Sequence, residues 1–264
     1  MNDKYQPLKI SVITAVFNRV QTIGQALSSV QTQTWPHVEH LVIDGASTDG
    51  TIDILEAQKN RISVLISEKD SGIYFALNKG LEHATGDVVG LMHSDDFFAD
   101  NRVLEKVAAA FSDPMVDGVY ADLDYVVKEN PDKVIRHWHS GTYSRRKLAL
   151  GWMPPHPTLF LRSSVIKQWG GYDTSFRIAA DYDSILRYLG KGNIQLAYIP
   201  EVFVKMRVGG ESNRSLSRII RKSWEDYRAL RQNGVGGLAA LFWKNFSKVG
   251  QFFRAARVNS SSAK

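Results

Sequence analysis

Apolar and polar positions along the first hundred residues fall into alternating blocks of two periods. Ile10 to Phe17 is a β-branched apolar run broken at Asn18 and Arg19, after which Ile23, Ala26, Leu27 and Val30 recur at helical spacing. Val38 to Ile43 repeats the strand pattern, Asp44 to Thr51 is a loop of small polar residues, and Ile52 to Gln58 is helical, with Asp49 or Thr51 placed to cap it. Ile62 to Ile66 predicts a third strand, the spacing of Ile73, Leu77 and Leu81 a third helix, and Val88 to Met92 a fourth strand. This alternation predicts right-handed βαβ units and a largely parallel sheet with helices on both faces. Such sheets bind ligands beyond the C-terminal ends of their strands. The loops after Phe17, Ile43, Ile66 and Met92, each holding an Asn or Asp, are therefore where chemistry is expected.

Past Asp113 the rhythm changes. Val119 to Val127 and Val134 to Trp138 read as antiparallel strands, and Pro154, Pro155 and Pro157 mark an extended stretch. Helical spacing returns at Ser163 to Trp169 and Asp181 to Leu189, and then in two tail helices, Ser217 to Gln232 and Leu238 to Arg257, separated by the glycine-rich Asn233 to Gly237.

Composition narrows the function classes. The chain has 264 residues, 44% of them hydrophobic, enough for a well-buried core, so a disordered tail protein is excluded. No apolar run reaches the roughly 18 residues of a membrane span, and Met1 to Lys9 lacks a signal-peptide core, which predicts a non-exported, cytoplasmic protein. Cysteine is absent, so disulfide and thiolate chemistry are excluded and any metal must be held by oxygen or imidazole. The net charge of +6 is unevenly divided: Lys205 to Lys264 carries +10 and the remainder −4. A basic tail on a mildly acidic body should seek an anionic surface, and no nucleic-acid module accompanies it.

In the candidate loops, His93, Ser94, Asp95 and Asp96 follow a buried strand, where adjacent carboxylates are costly unless something positive lies between them. A hard dication, Mn²⁺ or Mg²⁺, completed by substrate phosphates suits that arrangement, while helix capping by Asp96 is the plainer reading. There is neither a Walker lysine loop nor Gly-x-Gly-x-x-Gly, which argues against P-loop and dinucleotide chemistry.

Five segments in order, TAVFNR (Thr14 to Arg19), DGASTDGT (Asp44 to Thr51), DSGIYFALNKG (Asp70 to Gly80), ATGDVVGLMHSDD (Ala84 to Asp96) and AADYD (Ala179 to Asp183), resemble the signature of family 2 glycosyltransferases. The resemblance covers about residues 8 to 215 and is similar to the bacterial branch that builds capsular, exopolysaccharide and O-antigen units, colanic-acid-type enzymes included. It implies a GT-A fold: an α/β, Rossmann-like mixed sheet with helices on both faces, divided into a nucleotide-binding half (about 1–112) and an acceptor half (about 113–215), with residues 216–264 as a basic helical extension. It also implies a nucleotide-diphosphate sugar donor, a UDP-sugar being expected, a divalent metal and inversion at the anomeric carbon. By position, Thr14, Val16 and Asn18 line the nucleotide pocket and Asp44 reads the base. Asp70 and Asn78 lie beside the ribose and diphosphate, and His93-Ser94-Asp95 occupies the metal-motif place. Asp95 is then the metal ligand, with Asp96 supporting it. Asp181 is the general base, and Arg207, Arg214, Trp152 and His156 are candidates for diphosphate or acceptor contacts.

Three positions depart from the family pattern. His93 replaces the first Asp of the metal motif, Gly45 a second Asp after Asp44, and Ala180 the Glu before Asp181. His93 and Ala180 suggest a catalytically silent nucleotide-sugar binder as one alternative, and the basic tail a membrane-surface assembly protein as another. Within the tail, Leu238, Phe242, Phe246, Val249 and Phe253 form one stripe flanked by Lys244, Lys248, Arg254 and Arg257, the pattern of an interfacial helix. The expected partners are therefore a nucleotide sugar, a polyprenyl-diphosphate-linked glycan, and the inner face of the cytoplasmic membrane.

Overall fold

The computed structural model describes residues 7–208, 216–237 and 240. Four strands, β1 (Ile10–Val16), β2 (Val38–Asp44), β3 (Val64–Ser67) and β4 (Val88–Leu91), pair in parallel in the order β3-β2-β1-β4. Every residue of β1 is buried, as expected for a central strand covered on both faces. The crossovers carry α1 (Ile23–Gln31), α2 (Thr51–Ala57) and α3 (Ile73–His83). Ile23, Ala26, Leu27 and Val30, the residues whose spacing predicts α1, are its buried face. The capping expectation for α2 needs one correction: Gly50, at φ 93°, occupies the N-cap position and Thr51 is already helical. Asp49 still serves this end, accepting the Thr51 N–H at 3.0 Å.

After β4 the sheet turns mixed. β5 (Phe97–Phe98) precedes α4 (Val103–Ala110), β6 (Gly118–Val126) and β7 (Val134–Trp138) form the predicted antiparallel pair, and α5 (Arg145–Ala149) follows them. β8 (Phe160–Arg162) runs antiparallel to both β4 and β6, while β9 (Leu196–Arg207) lies parallel to β6 and carries β5 antiparallel on its other edge. The β6–β9 register slips between Ala121 and Leu123, where Ile199 and Val202 are the successive partners. Pro200 lies in that slip, where an interior strand tolerates a residue without an N–H. Gly90 admits the Phe160 ring over β4, since a Cβ there would lie 2.2 Å from the ring.

α6 (Ser163–Trp169) and α7 (Ala180–Leu186) are followed by a π-helical turn at Arg187–Lys191, so the helix expected over Asp181 to Leu189 ends three residues early. α8 (Leu216–Asn233) packs on α7, with Ala229 and Leu230 fully buried in one cluster with Ile185 and Leu186. No helix among the described residues is long and apolar enough to cross a membrane. The predicted second tail helix, Leu238 to Arg257, and Arg214 lie outside the described residues.

Candidate functional site

The loops after β1, β2 and β3 are laced to one another. Asp44 closes β2 fully buried; its Oδ1 accepts the Ser47 hydroxyl at 2.5 Å, and its Oδ2 accepts the Ser47 N–H at 3.1 Å and the Ser67 hydroxyl at 2.6 Å. Asn18, at φ 51°, accepts the Thr48 N–H through Oδ1 at 2.8 Å, and its own N–H donates to Ser47 at 2.9 Å. Thr14 and Val16 are buried in β1, the Thr14 hydroxyl paired with His40 Nε2 at 3.0 Å. Burial holds the His40 ring neutral, its pKa down to about 4. What this framework presents outward is Phe17, 56% exposed. Its ring lies over Gly45, where a Cβ would come within 3.3 Å of it, so the residue that departs from the family pattern makes room for an aromatic platform.

Asp70 and Asn78 divide. Asp70 accepts from Lys79 Nζ at 2.8 Å through Oδ1, whereas its buried Oδ2 has no partner, an acceptor left open. Asn78 uses both ends of its amide on the Tyr172 backbone, donating to its carbonyl and accepting its N–H, each at 2.8 Å. It therefore clamps the two halves of the chain together.

The segment between β4 and β5 supplies the next groups. Asp95 is part-exposed, its Oδ2 3.9 Å from Arg19 Nε. Asp96 is turned the other way, 1% exposed, accepting the Arg207 N–H at 3.0 Å. Burial, and then the neighbouring Asp95 charge, push its pKa well above the usual carboxylate range. Arg207 is also buried: its guanidinium donates to the Asp95 carbonyl at 2.5 Å and to Gln25 Oε1, and lies 4.9 Å from the Phe97 ring centre. It braces the Asp95 turn from below. Ser94 is buried, and its carbonyl accepts the Thr22 hydroxyl at 2.9 Å.

Facing this turn is the start of α7. His93 and His156 lie 5.9 Å apart, and the Asp181 charge acts on both. Burial lowers both imidazole pKa values, that of His156 to about 4, outweighing the pull of Asp181. Asp181 Oδ1 lies 3.3 Å from the Tyr74 hydroxyl, which donates to the Ile178 carbonyl at 2.7 Å. Tyr74 stacks on Tyr172, whose hydroxyl meets His156 Nε2 at 3.0 Å. Asp183, by contrast, is buried between Asn233 Nδ2 (2.8 Å) and Arg187 Nη2 (3.3 Å). Trp152 is part-buried, its Nε1 donating to the Ser140 carbonyl at 2.9 Å, edge-on to Tyr120.

Several contributors escaped the sequence reading. Glu225 of α8, itself buried, accepts the N–H groups of Ile178 (2.8 Å), Ala179 (3.0 Å) and Arg177 (3.3 Å), fixing the turn that presents Asp181. Ala180 is fully buried in the α7–α8 core, so the family's Glu has no counterpart in the cleft. Phe17 and Tyr74 carry only the ordinary signal of aromatics inside motifs. Asp122, His137 and His139 converge as a group of metal-ligating atoms within 4.8 Å of one another. Asp122 stands 15 and 17 positions before the two histidines and meets them through the β6–β7 hairpin.

The cleft joins a part-exposed carboxylate, Asp181, to neutral imidazoles and a second part-exposed carboxylate, Asp95. A hard dication fits Asp95, because Mg²⁺ and Mn²⁺ are commonly held by one or two carboxylates together with substrate phosphates. Comparisons with known proteins agree in kind. The family model for glycosyl transferase family 2 matches residues 11–169. An uncharacterised glycosyltransferase of Mycobacterium tuberculosis is 34% identical over 180 residues, 67% of this chain and 68% of the relative. TuaG of Bacillus subtilis, named for teichuronic acid biosynthesis, is 41% identical over 105 residues, 39% of this chain and 41% of its own. Among solved structures, S. aureus TarS 1-349 in complex with UDP-GlcNAc superposes with a TM-score of 0.64 at 22% identity, over 86% of this chain and 66% of that one. The chain spans only 39% of the longer TarS structure. The mannosyltransferase PcManGT of Pyrobaculum calidifontis, in complex with GDP-Man and Mn²⁺, gives 0.66 at 18% identity, over 98% of this chain and 77% of that one. The fold is thus GT-A, and the chain belongs to glycosyl transferase family 2.

Proposed function

We propose that the protein transfers a single hexose or N-acetylhexosamine from a nucleotide-diphosphate sugar, a UDP-sugar in the first instance, to a lipid-linked glycan, with inversion at the anomeric carbon. The observation that carries the reading is the convergence of Asp181 and Asp95 on one cleft, with His93 under the influence of both. Asp181 takes the proton of the acceptor hydroxyl as that oxygen attacks the anomeric carbon, and the bond to the diphosphate breaks on the opposite face. Mn²⁺ or Mg²⁺ held at Asp95 would neutralise the charge gathering on the departing diphosphate. His93 and His156, neutral at pH 7, line the sugar pocket without competing for the proton. Phe17 stacks on the base, and Asp70 lies beside the ribose. The likeness to TarS and PcManGT supports a nucleotide-sugar donor, and the likeness to TuaG a surface-glycan acceptor. The basic segment ending at Lys264 would hold the enzyme at an anionic membrane surface.

The test is a donor screen: purified protein, Mn²⁺ or Mg²⁺ and a panel of UDP- and GDP-sugars, with nucleotide release followed with and without a synthetic lipid-diphosphate sugar. Release that requires one donor, metal and acceptor is expected. Tight donor binding without turnover on any acceptor would favour a silent binder instead, and absence of binding would overturn the reading.

A further inference from the structure

The group formed by Asp122, His137 and His139 lies on β6 and at the end of β7, with β9 between β6 and the β5 edge beside Asp95. Its internal geometry is specific. Asp122 is buried; its Oδ1 accepts from the Ser140 N–H at 2.8 Å and the Tyr198 hydroxyl at 2.7 Å, and its Oδ2, hydrogen-bonded to His139 Nδ1, faces the two rings. His139 Nδ1 lies 3.1 Å and His137 Nε2 3.5 Å from that oxygen. Ligand atoms around a tetrahedral Zn²⁺ with bonds of about 2.0–2.1 Å stand about 3.3 Å apart, so the two separations bracket the required value.

The surroundings complete the arrangement. His137 Nδ1 lies 2.7 Å from Asp124 Oδ1, so a metal on Nε2 would leave the Nδ1–H to that carboxylate. A carboxylate behind a ligating imidazole is the usual outer partner of a metal-bound histidine. Both rings keep an exposed side, 49% for His137 and 68% for His139, so a metal can enter and keep open coordination positions for water.

We propose that Asp122, His137 and His139 form a site for a borderline transition-metal dication, Zn²⁺ or its neighbours Co²⁺ and Ni²⁺, distinct from the hard-cation position at Asp95. Two imidazoles with one carboxylate select for these ions over Mg²⁺, which prefers oxygen ligands throughout. The site ties β6 to the segment after β7, whose Ser140 carbonyl holds Trp152.

Calorimetric titration of the full-length, chelator-stripped protein with Zn²⁺, and separately with Mg²⁺, tests this in the absence of nucleotide. One equivalent of Zn²⁺ should bind, at least 100-fold more tightly than Mg²⁺. His137→Gln and His139→Gln should each weaken it at least 100-fold, and Asp124→Asn about 10- to 100-fold, while Asp95→Asn leaves it unchanged. The histidines are exposed enough for both variants to fold, which circular dichroism checks. Co²⁺ should give a ligand-field absorption band that both histidine variants abolish. No Zn²⁺ binding by the wild type, affinity retained in the double histidine variant, or loss of binding in Asp95→Asn would overturn the proposal.

Discussion

The loops that close the parallel half and the cleft facing α7 treat their polar groups in opposite ways. Around β1 to β3, Asp44, Asn18, Thr14 and Asn78 are bonded to their own chain, and what they present outward is the bare ring of Phe17. Across the cleft, Asp95 and Asp181 stay part-exposed, while the residues behind them, Arg207 and Glu225, are the ones saturated with hydrogen bonds. Residues of one family signature thus divide into those that shape a loop and those that stay part-exposed in the cleft. Burial and pairing separate the two kinds, and motif position does not.

The pair Asp181 and Asp183 gives the sharpest way to break that division. Asp181→Asn is expected to lower turnover by about 10²- to 10⁴-fold, the range for losing a general base, with nucleotide affinity unchanged in a calorimetric titration. Asp183→Asn should leave chemistry intact and instead cost about 1–3 kcal/mol of stability, because its partner Asn233 is buried with it and Arg187 is half-buried. Equal rate losses in the two variants would erase the distinction.

Acid sensitivity should come from both sides, through Glu39 and His40 in the self-bonded half and His156 in the cleft, which burial also depresses from 6.5 to about 4. Glu39 is buried, which alone would raise its pKa, but hydrogen bonds from Lys9, Ser11 and Thr85 outweigh this and hold it at about 2 against 4.5. The folded-state value is depressed, so the contribution, about 3 kcal/mol at most, is complete above pH 4.5 and lost as pH falls toward 2. His40, depressed from 6.5 to about 4 by burial, has the same sign and acts in the window between those values. Denaturant melts should therefore show stability falling from about pH 6.5 downward, with the lower part of the slope flattened in Glu39→Gln.

Two smaller effects probe each side's support. Glu225→Ala leaves three N–H groups before α7 without their acceptor, for an expected loss of about 1–3 kcal/mol. Turnover should fall with it, and Glu225→Gln, which keeps an amide oxygen, should recover part of both. On the opposite side, Phe17→Ala should weaken nucleotide binding about tenfold, within the roughly 1–3 kcal/mol range of base–aromatic stacking, with the melting temperature unchanged because the ring is exposed.

The parallel half was legible because its strands and helices each run long enough to show a period, down to the four buried residues of α1. β5 and β8, of two and three residues, are too short to show one, and Pro200 disguised β9 until the register slip explained it. Asp95 and Asp181 were visible as motif residues. Glu225 was not, because nothing in the sequence ties it to the turn 46 residues earlier whose Ala179 N–H it accepts. Nor were Asp122, His137 and His139, since only the pairing of Leu123 with Trp138 brings those positions together. The inward turn of Asp44 was hidden as well: a strand-end carboxylate reads the same whether it faces a base or a serine.

The finest form of the comparison is within one dipeptide. Asp95 and Asp96 are adjacent, and the family resemblance groups them at one metal. Asp95 faces the cleft, whereas Asp96 is 1% exposed and holds the Arg207 N–H. An asparagine at 96 keeps an acceptor oxygen of the same reach, so Asp96→Asn should leave Mn²⁺-dependent nucleotide binding within about twofold of the wild type, less than 0.5 kcal/mol, near the limit of what a titration resolves. Asp95→Asn, measured beside it, should abolish the metal dependence. If both substitutions remove it, Asp96 turns outward when the metal binds, and burial in the free protein is no guide to which carboxylates of this fold meet the substrate.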